Sequence, residues 1–391
     1  MVNKTCLLLI VMGILSLVSL AQEPTTADAY VKRGLSKFDN EQFSEAVADF
    51  TKAIGLKPDL VDPYYARGVT YLTMAEDRRD ILQLSLTDLS KAIQLEPKLF
   101  DAYRARKSVR YKLGDLVGAL EDSTKAMTFV EPNASLFEDR ANIYLKKGDL
   151  DAAIADFTKA IEIEPRDYDA YKSRAEVYSR KKQHQLAIAD LTKVIEQIGS
   201  FAHAYDRRSE EKLFAGDTYG AIADATLQIE NATGDGSRAS DYQSRAWIYL
   251  LLNQLPQASD DMKKAQELDA SGSVFRPFVA FIILRKMNKL AEGNDILNKW
   301  SPKYSGTSAF DKQVLSYLQG KTTAVQLLAV ADDDEKKRFA NAFVGLNLWF
   351  TGNKIAARKY IDSVYTSDVP RFDWAYGLVR PLVRYTEMAK P

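Results

Sequence analysis

DFTKAI occurs twice in this chain, at 49–54 and again at 156–161. Around the first copy the sequence runs SKFDNEQFSEAVADFTKAIGLKP (36–58); around the second it runs YLKKGDLDAAIADFTKAIEIEP (144–165). Each stretch ends in proline four residues after the hexapeptide. Self-similarity of this kind is read as a repeat before anything else. Pro58, Pro97, Pro132 and Pro165 each follow a run of helix formers. Ala53, Ala92, Ala126 and Ala160 lie five or six residues before them, and Ala46, Ser85, Ala119 and Ala153 seven residues earlier still. A second helical stretch lies upstream, with Gly34, Gly68, Ala141 and Ala175 at its middle.

Units begin near 27, 61, 100 and 134, so the separation of the two hexapeptides (156 − 49 = 107) is three repeats of 34 plus five residues. The extra five are placed in the inter-helix turn of the second unit, around TMAEDRRDILQ at 73–83. Further units begin near 168, 202 and 239. Seven result: 27–60, 61–99, 100–133, 134–167, 168–201, 202–238 and 239–272. The later ones weaken, with Gly199 in a proline position and a loose NATGDGSR closing 202–238.

Packing explains the pattern. Ala153, Phe157 and Ala160 stand at i, i+4 and i+7, on one face of a helix. Small residues on paired helices let two backbones approach, and proline closes the second helix because it lacks the N–H and clashes with the preceding turn. One hairpin cannot bury its apolar face alone, so neighbours must stack.

The chain resembles the tetratricopeptide repeat, a 34-residue helix–turn–helix unit. Unit 134–167 carries Phe137, Ala141, Tyr144, Ala153, Phe157, Ala160 and Pro165 at the family's offsets; unit 27–60 carries Tyr30, Gly34, Ala46, Phe50, Ala53 and Pro58. The resemblance implies an all-α fold, a right-handed superhelical α-solenoid of stacked helix-turn-helix hairpins. It also implies a groove lined by positions 2, 5, 9 and 12 of each first helix. In units three to six this predicts a peptide-binding surface from Arg104, Ser108, Glu138, Asn142, Lys172, Glu176, Asp206 and Glu210, with an ordinary solvated helix face as the alternative. A subset of the family clamps a C-terminal carboxylate with Lys and Asn in its first unit. Val31 and Leu35 stand there, so that activity is not carried over.

Two columns are invariant across the seven units. Position 7 is arginine throughout: Arg33, Arg67, Arg106, Arg140, Arg174, Arg208 and Arg245. Position 23 is aspartate throughout: Asp49, Asp88, Asp122, Asp156, Asp190, Asp224 and Asp261. The planar guanidinium can meet a carboxylate through two hydrogen bonds. A ladder of Arg–Asp pairs, within each unit or across to the next, is expected. The alternative is a ligand-binding arginine row, but such rows rarely bring one private acid per arginine.

After 272 the proline rhythm is lost. FRPFVAFIILRKMNKLAEGNDILNKW reads as a hairpin with an apolar first helix, and 315–365 as three more helices. Within 273–391 the stretch 338–371 again fits the repeat through Gly345, Leu348, Ala357, Ile361 and Val364, ahead of a cap near VRPLVRYTEM. Trp300, Trp349, Trp374, Phe339, Phe343, Phe350 and Phe372 are expected to fill the core; an exposed aromatic patch for a partner or a homodimer is the alternative.

Composition narrows function. Lys+Arg and Asp+Glu number 53 each, which argues for no nucleic acid. MVNKTCLLLIVMGILSLVSLA (1–21) has one Lys, an uncharged run and a Ser-Leu-Ala ending, the pattern of a cleaved signal peptide. Its apolar run of 15 residues, 6–20, is short for a membrane span, which needs about 20; an uncleaved anchor is the alternative. The mature chain is expected to have no membrane span and to be periplasmic or secreted. Cys6 is the only cysteine, so no disulfide or thiolate metal site is expected.

No catalytic constellation, cofactor motif or metal motif is recognised. His184 and His203 read as surface or turn residues. The run Asp332–Glu335 lacks the spaced ligands of a calcium loop and reads as the acidic start of a helix. Asn133 and Asn231 fit the glycosylation acceptor pattern, which matters only in a eukaryotic secretory pathway. The function expected is a non-catalytic scaffold or adaptor with a protein or peptide ligand. The competing classes are an enzyme or enzyme regulator with its site in the divergent C-terminal region, and a homo-oligomeric structural array.

Overall fold

The computed structural model describes residues 23–198, 202–268, 275–304 and 309–364. The signal-peptide stretch 1–21, Gly199, Phe372, Trp374 and the C-terminal cap lie outside the described residues, as do the side chains of His203 and Trp300. Among the described residues there are helices and no strands.

One compact unit runs to Pro165 and a second begins at Arg166. The first holds four hairpins. They are α1 (Ala27–Asp39) with α2 (Phe43–Leu56), α3 (Val61–Met74) with α4 (Arg79–Leu95), α5 (Phe100–Leu113) with α6 (Leu116–Ala126), and α7 (Ala134–Lys147) with α8 (Leu150–Ile163). The second unit continues with α9 (Tyr168–Arg180) and α10 (His184–Ile198), α11 (Ala202–Phe214) and α12 (Thr218–Asn231), and α13 (Asp235–Leu251) and α14 (Leu255–Leu268). Then come α15 (Phe275–Lys286), α16 (Leu290–Tyr304), α17 (Ala309–Leu318), α18 (Ala324–Ala329), α19 (Asp334–Phe350) and α20 (Lys354–Val364).

The hairpins close on a small residue meeting a large one. A Cβ on Gly34 would sit 2.6 Å from the Phe50 ring, and one on Gly68 would sit 2.8 Å from Leu89 Cγ. In the last hairpin a Cβ on Gly345 would lie 2.7 Å from Ile361. The divergent pair α19–α20 therefore repeats the interior contact. Lys107 holds the same position in the third unit, with its ammonium bonded to Asp139. Aspartates cap α6, α8 and α12: Asp115 accepts from Gly118 N at 2.9 Å, Asp149 from Ala152 N at 3.3 Å and Asp217 from Gly220 N at 2.9 Å.

Three expectations change. The five extra residues of the second unit split between turn and helix. The turn 75–78 has four residues against two at 114–115. Helix α4 begins nine residues before Asp88 (88 − 79), where α6 begins six before Asp122 (122 − 116). The stretch DGSR (235–238) is the first turn of α13, begun at Gly234, because only the three residues before it are needed to turn the chain. Residues 315–364 hold the end of α17 and three helices, one of them the single-turn-scale α18, closed by a Thr323–Gln326 capping box. Asp333 caps α19 by accepting from Lys336 N at 2.7 Å, so the acidic run does begin a helix.

Within the second compact unit one continuous core runs from α11 to α20, apart from the smaller cluster of Ala175, Ala187 and Leu191 between α9 and α10. Phe278 of α15 is fully buried and meets Phe343 of α19 edge-on at 4.7 Å. Phe339, Trp349 and Phe350 pack partly buried against the same core. These described aromatics are core residues rather than an exposed patch.

Candidate functional site

Each repeat arginine enters from the middle of a first helix and meets an aspartate on the paired second helix. In all seven units Nε donates to one aspartate oxygen and Nη2 to the other, at 2.6–2.9 Å. The aspartate side chains are only 2–9% exposed and the arginines 13–28%. The bond to its aspartate holds each of Arg67, Arg140, Arg174 and Arg245 above the ordinary guanidinium value. At Asp49 burial pushes the carboxyl up, but the bonds from Arg33 and Lys37 outweigh it and hold it below the usual range.

A third column completes the arrangement, one the sequence reading missed. The remaining Nη1 donates to a hydroxyl two residues after the previous unit's aspartate. Arg67 reaches Thr51 at 2.8 Å, Arg106 reaches Ser90 at 3.2 Å and Arg140 reaches Thr124 at 3.5 Å. Arg208 reaches Thr192 at 3.0 Å and Arg245 reaches Thr226 at 2.8 Å. Thr51 passes its own proton back to Val47 O at 2.7 Å, which leaves the oxygen lone pairs facing the arginine. Arg33 has no preceding unit; its Nη2, already bonded to Asp49, also donates to Glu23 at 3.1 Å, which lowers the Glu23 carboxyl. One guanidinium thus ties its own hairpin and clips it to the one before.

Position 11 also follows a rule. It is Lys37, Arg110 or Lys212, each 2.9–3.0 Å from the unit's aspartate, or else a tyrosine. Tyr178 and Tyr249 lie 5.7 and 5.8 Å from the guanidinium carbons of Arg174 and Arg245. The Nε–Nη2 fork of every one of these arginines is closed on its own aspartate, so the column has no free fork to offer a ligand.

The predicted groove residues lie outside this lattice. Arg104, Ser108, Glu138 and Asn142 belong to the first compact unit, and Lys172, Glu176, Asp206 and Glu210 to the second. Arg104 and Lys172 are exposed and pair one turn back with Asp101 at 3.8 Å and Asp169 at 2.6 Å. Glu176 meets Arg180 at 3.0 Å and Glu210 meets Arg207 at 3.5 Å. Ser108 donates to Arg104 O at 3.2 Å, and Asn142 is exposed. Glu138 and Asp206 are half-buried. In the seventh unit the equivalent positions are covered from within. Arg276 donates to Gln243 at 3.2 Å and Ser240 at 3.5 Å, while Trp247 is edge-on to Phe350 at 5.9 Å.

Two buried carboxylates were overlooked in the sequence. Glu211, 2% exposed, accepts from Ser179 Oγ at 2.6 Å and lies 2.7 Å from His184 Nδ1. His184 therefore sits in a polar cluster rather than on the surface, with its ring 5.5 Å from Phe214. The available signal was Glu211 itself, the one charge in a column that elsewhere holds Ser36, Thr70, Val109, Ile143, Val177 and Ile248. Asp241 is likewise buried, accepting from Gln228 Nε2 at 2.6 Å. Burial pushes its carboxyl up to about 6, against the lowering bond from Gln228.

Asp241 predicts a pH effect. Its folded value lies above the unfolded one, so its stabilising contribution is full below pH ~4 and lost as pH rises through about 6. Asp241→Asn keeps the acceptor for Gln228 and removes the charge. It should raise stability at pH 7 by roughly 1–2 kcal/mol and leave it unchanged at pH 4, read by urea titration at both values.

Among the described residues no three His, Cys, Asp or Glu side chains gather as a metal would require. Among the same residues no helix is long and apolar enough to cross a membrane.

Comparison with known proteins agrees with this geometry. Tetratricopeptide repeat profiles match residues 134–167 and 157–189, and a TPR repeat profile matches 34–74. Residues 34–74 and 134–189 of the chain are therefore tetratricopeptide repeats. No curated protein matches it. The C-terminal part of a TPR repeat-containing protein from Cytophaga hutchinsonii is similar in structure, at TM-score 0.55 and 18% identity over 62% of this chain and 96% of that one. A tetratricopeptide repeat protein from Parabacteroides merdae is 17% identical over 67% of this chain and all of that one, with TM-score 0.45. YrrB, described as a TPR protein with an unusual peptide-binding site, is 20% identical over 46% and 91% of the two chains, with TM-score 0.40.

Proposed function

We propose that the chain is a scaffold that binds proteins or peptides on the outer faces of its first helices, with no chemistry of its own. The observation that carries this is the division of labour among its charges. The repeat arginines are consumed in buried bidentate pairs, while Arg104, Lys172, Glu176 and Glu210 pair within their own helix neighbourhood at the surface. Exposed pairs such as Arg104–Asp101 and Lys172–Asp169 contribute only about 0–1 kcal/mol each and are readily exchanged for a partner's groups. We also propose that the chain is exported and acts in the periplasm or outside the cell, on the strength of the 1–21 stretch.

The test is capture from envelope extract with residues 22–391 as bait, beside a bait carrying Arg104, Glu138, Lys172 and Glu176 changed to alanine. A partner held by the native bait and released by the variant is expected. A partner held equally by both contradicts recognition on these faces. Mass spectrometry of the mature N-terminus is expected to find Gln22 first; an intact Met1 contradicts cleavage.

A further inference from the structure

The repeat register continues into α15–α16 through a compensating swap. Position 20 is Ala or Ser in all seven units; here it is Gly293, and a Cβ there would come 3.1 Å from the ring of Phe281 at position 8. The same register places Ala280 in the arginine position and Ile296 in the aspartate position. In α14 the hydroxyl position is taken by Lys263. All three members of the ladder are therefore missing at one interface. At that place, between α14, α15 and α16, lies a cleft of about 230 Å³.

Its lining defines what would fit. Met262, Ala280, Leu284 and Ile296 supply an apolar floor. Lys263 and Lys299 face Glu292 and Asp295 at the rim, two charges of each sign. Gln266 Nε2 is buried there with no hydrogen-bond partner. The volume falls below the ~300–1,000 Å³ of small-molecule pockets and suits one large side chain. A balanced rim gives a charged guest no net attraction, and an apolar floor penalises one. An unpaired buried donor costs free energy that an incoming carbonyl relieves.

We propose that this cleft takes one uncharged apolar side chain of a partner polypeptide, with a backbone carbonyl of that partner accepting from Gln266 Nε2. In the seven regular units an internal arginine occupies this part of the repeat; here the place is left for an external guest. The proposal rests on the reading of the chain as a polypeptide binder but uses a different surface, and its test reads the cleft alone.

The test is a titration of protein labelled at methionine and isoleucine methyls. The probes are N-acetyl-leucinamide, N-acetyl-phenylalaninamide, N-acetyl-argininamide and N-acetyl-aspartamide. The neutral probes are expected to shift the Met262 and Ile296 methyls with at least fivefold higher affinity than either charged probe. Gln266→Leu should weaken them severalfold. Ala280→Arg combined with Ile296→Asp restores the ladder pair and should abolish the Met262 shift, with Ala280→Met as a milder filling of the same space. Changing Arg104, Glu138, Lys172 and Glu176 should leave these shifts intact, which separates the cleft from the first-helix faces. The proposal is overturned if no probe moves either methyl, if a charged probe binds more tightly, or if the folded, filled variants bind as the native chain does.

Discussion

Asp122→Ala is expected to cost about 3–5 kcal/mol, the loss that follows when one member of a buried ion pair is removed. Asp122 is 2% exposed, accepts from Arg106 Nε at 2.9 Å and Arg106 Nη2 at 2.6 Å, and is ion-paired with Arg110 Nη1 at 3.0 Å. Its loss leaves the Arg106 guanidinium without its carboxylate, beside an Arg110 that keeps only the longer contacts to Asp115 at 3.6 Å and Glu121 at 4.0 Å. The clip from Arg106 to Ser90 then loses the anchor that aims it. Urea unfolding followed by far-UV circular dichroism measures the change. Asp59→Ala, at an exposed turn, should stay within about 0.5 kcal/mol and serves as the control. A loss at Asp122 no larger than at Asp59 would mean that the pairs do not hold the hairpins.

Phe278→Ala should also cost about 3–5 kcal/mol, through lost burial and the cavity left behind. Phe278 is completely buried and is edge-on to Phe343, itself 2% exposed, at 4.7 Å. Those residues belong to α15 and α19, which α16, α17 and α18 separate in the chain. The substitution therefore asks whether the last hairpin shares the core of the repeats. Phe278→Leu keeps most of the volume and should lose less than half as much. Thermal unfolding with a near-ultraviolet readout measures both. A loss under about 1 kcal/mol for Phe278→Ala, far below the usual cost of a buried phenylalanine, would show that α19 contributes little to that core.

Much of this architecture is legible in the sequence because a repeat states its constraints several times. The 16-residue spacing from Arg140 to Asp156 recurs, and a small residue such as Gly34 recurs opposite a large one such as Phe50. The hydroxyl column, broken only at Lys263, was easier to overlook. Thr51, Ser90 and Thr124 look like ordinary helix-surface residues until the arginine of the next hairpin is placed above them. Glu211 and Asp241 were hidden for another reason. Each is the one charged residue of its column, and a single exception in a repeat reads as divergence until its partner, Ser179 with His184 or Gln228, is seen. The single-exception logic also governs the cleft: Ala280 and Ile296 are unremarkable apolar residues in isolation. The exposed residues of the first helices remain the least legible feature, since solvated and partner-binding faces share one composition.

The central claim is that the arginine column sets the register of the repeats rather than recognising a ligand. A double-mutant cycle at Arg140 and Asp156 tests it most directly. The pair is bidentate at 2.7 and 2.8 Å, with side chains 18% and 9% exposed. Arg140→Met and Asp156→Leu should each destabilise the fold strongly. The double variant should lose less than the two losses added together, giving a coupling of about 1.5–3 kcal/mol, the range of hydrogen bonds to charged groups. A coupling within about 0.5 kcal/mol of zero, with unfolding unmoved by Arg140→Met, would contradict the claim and return the column to ligand binding.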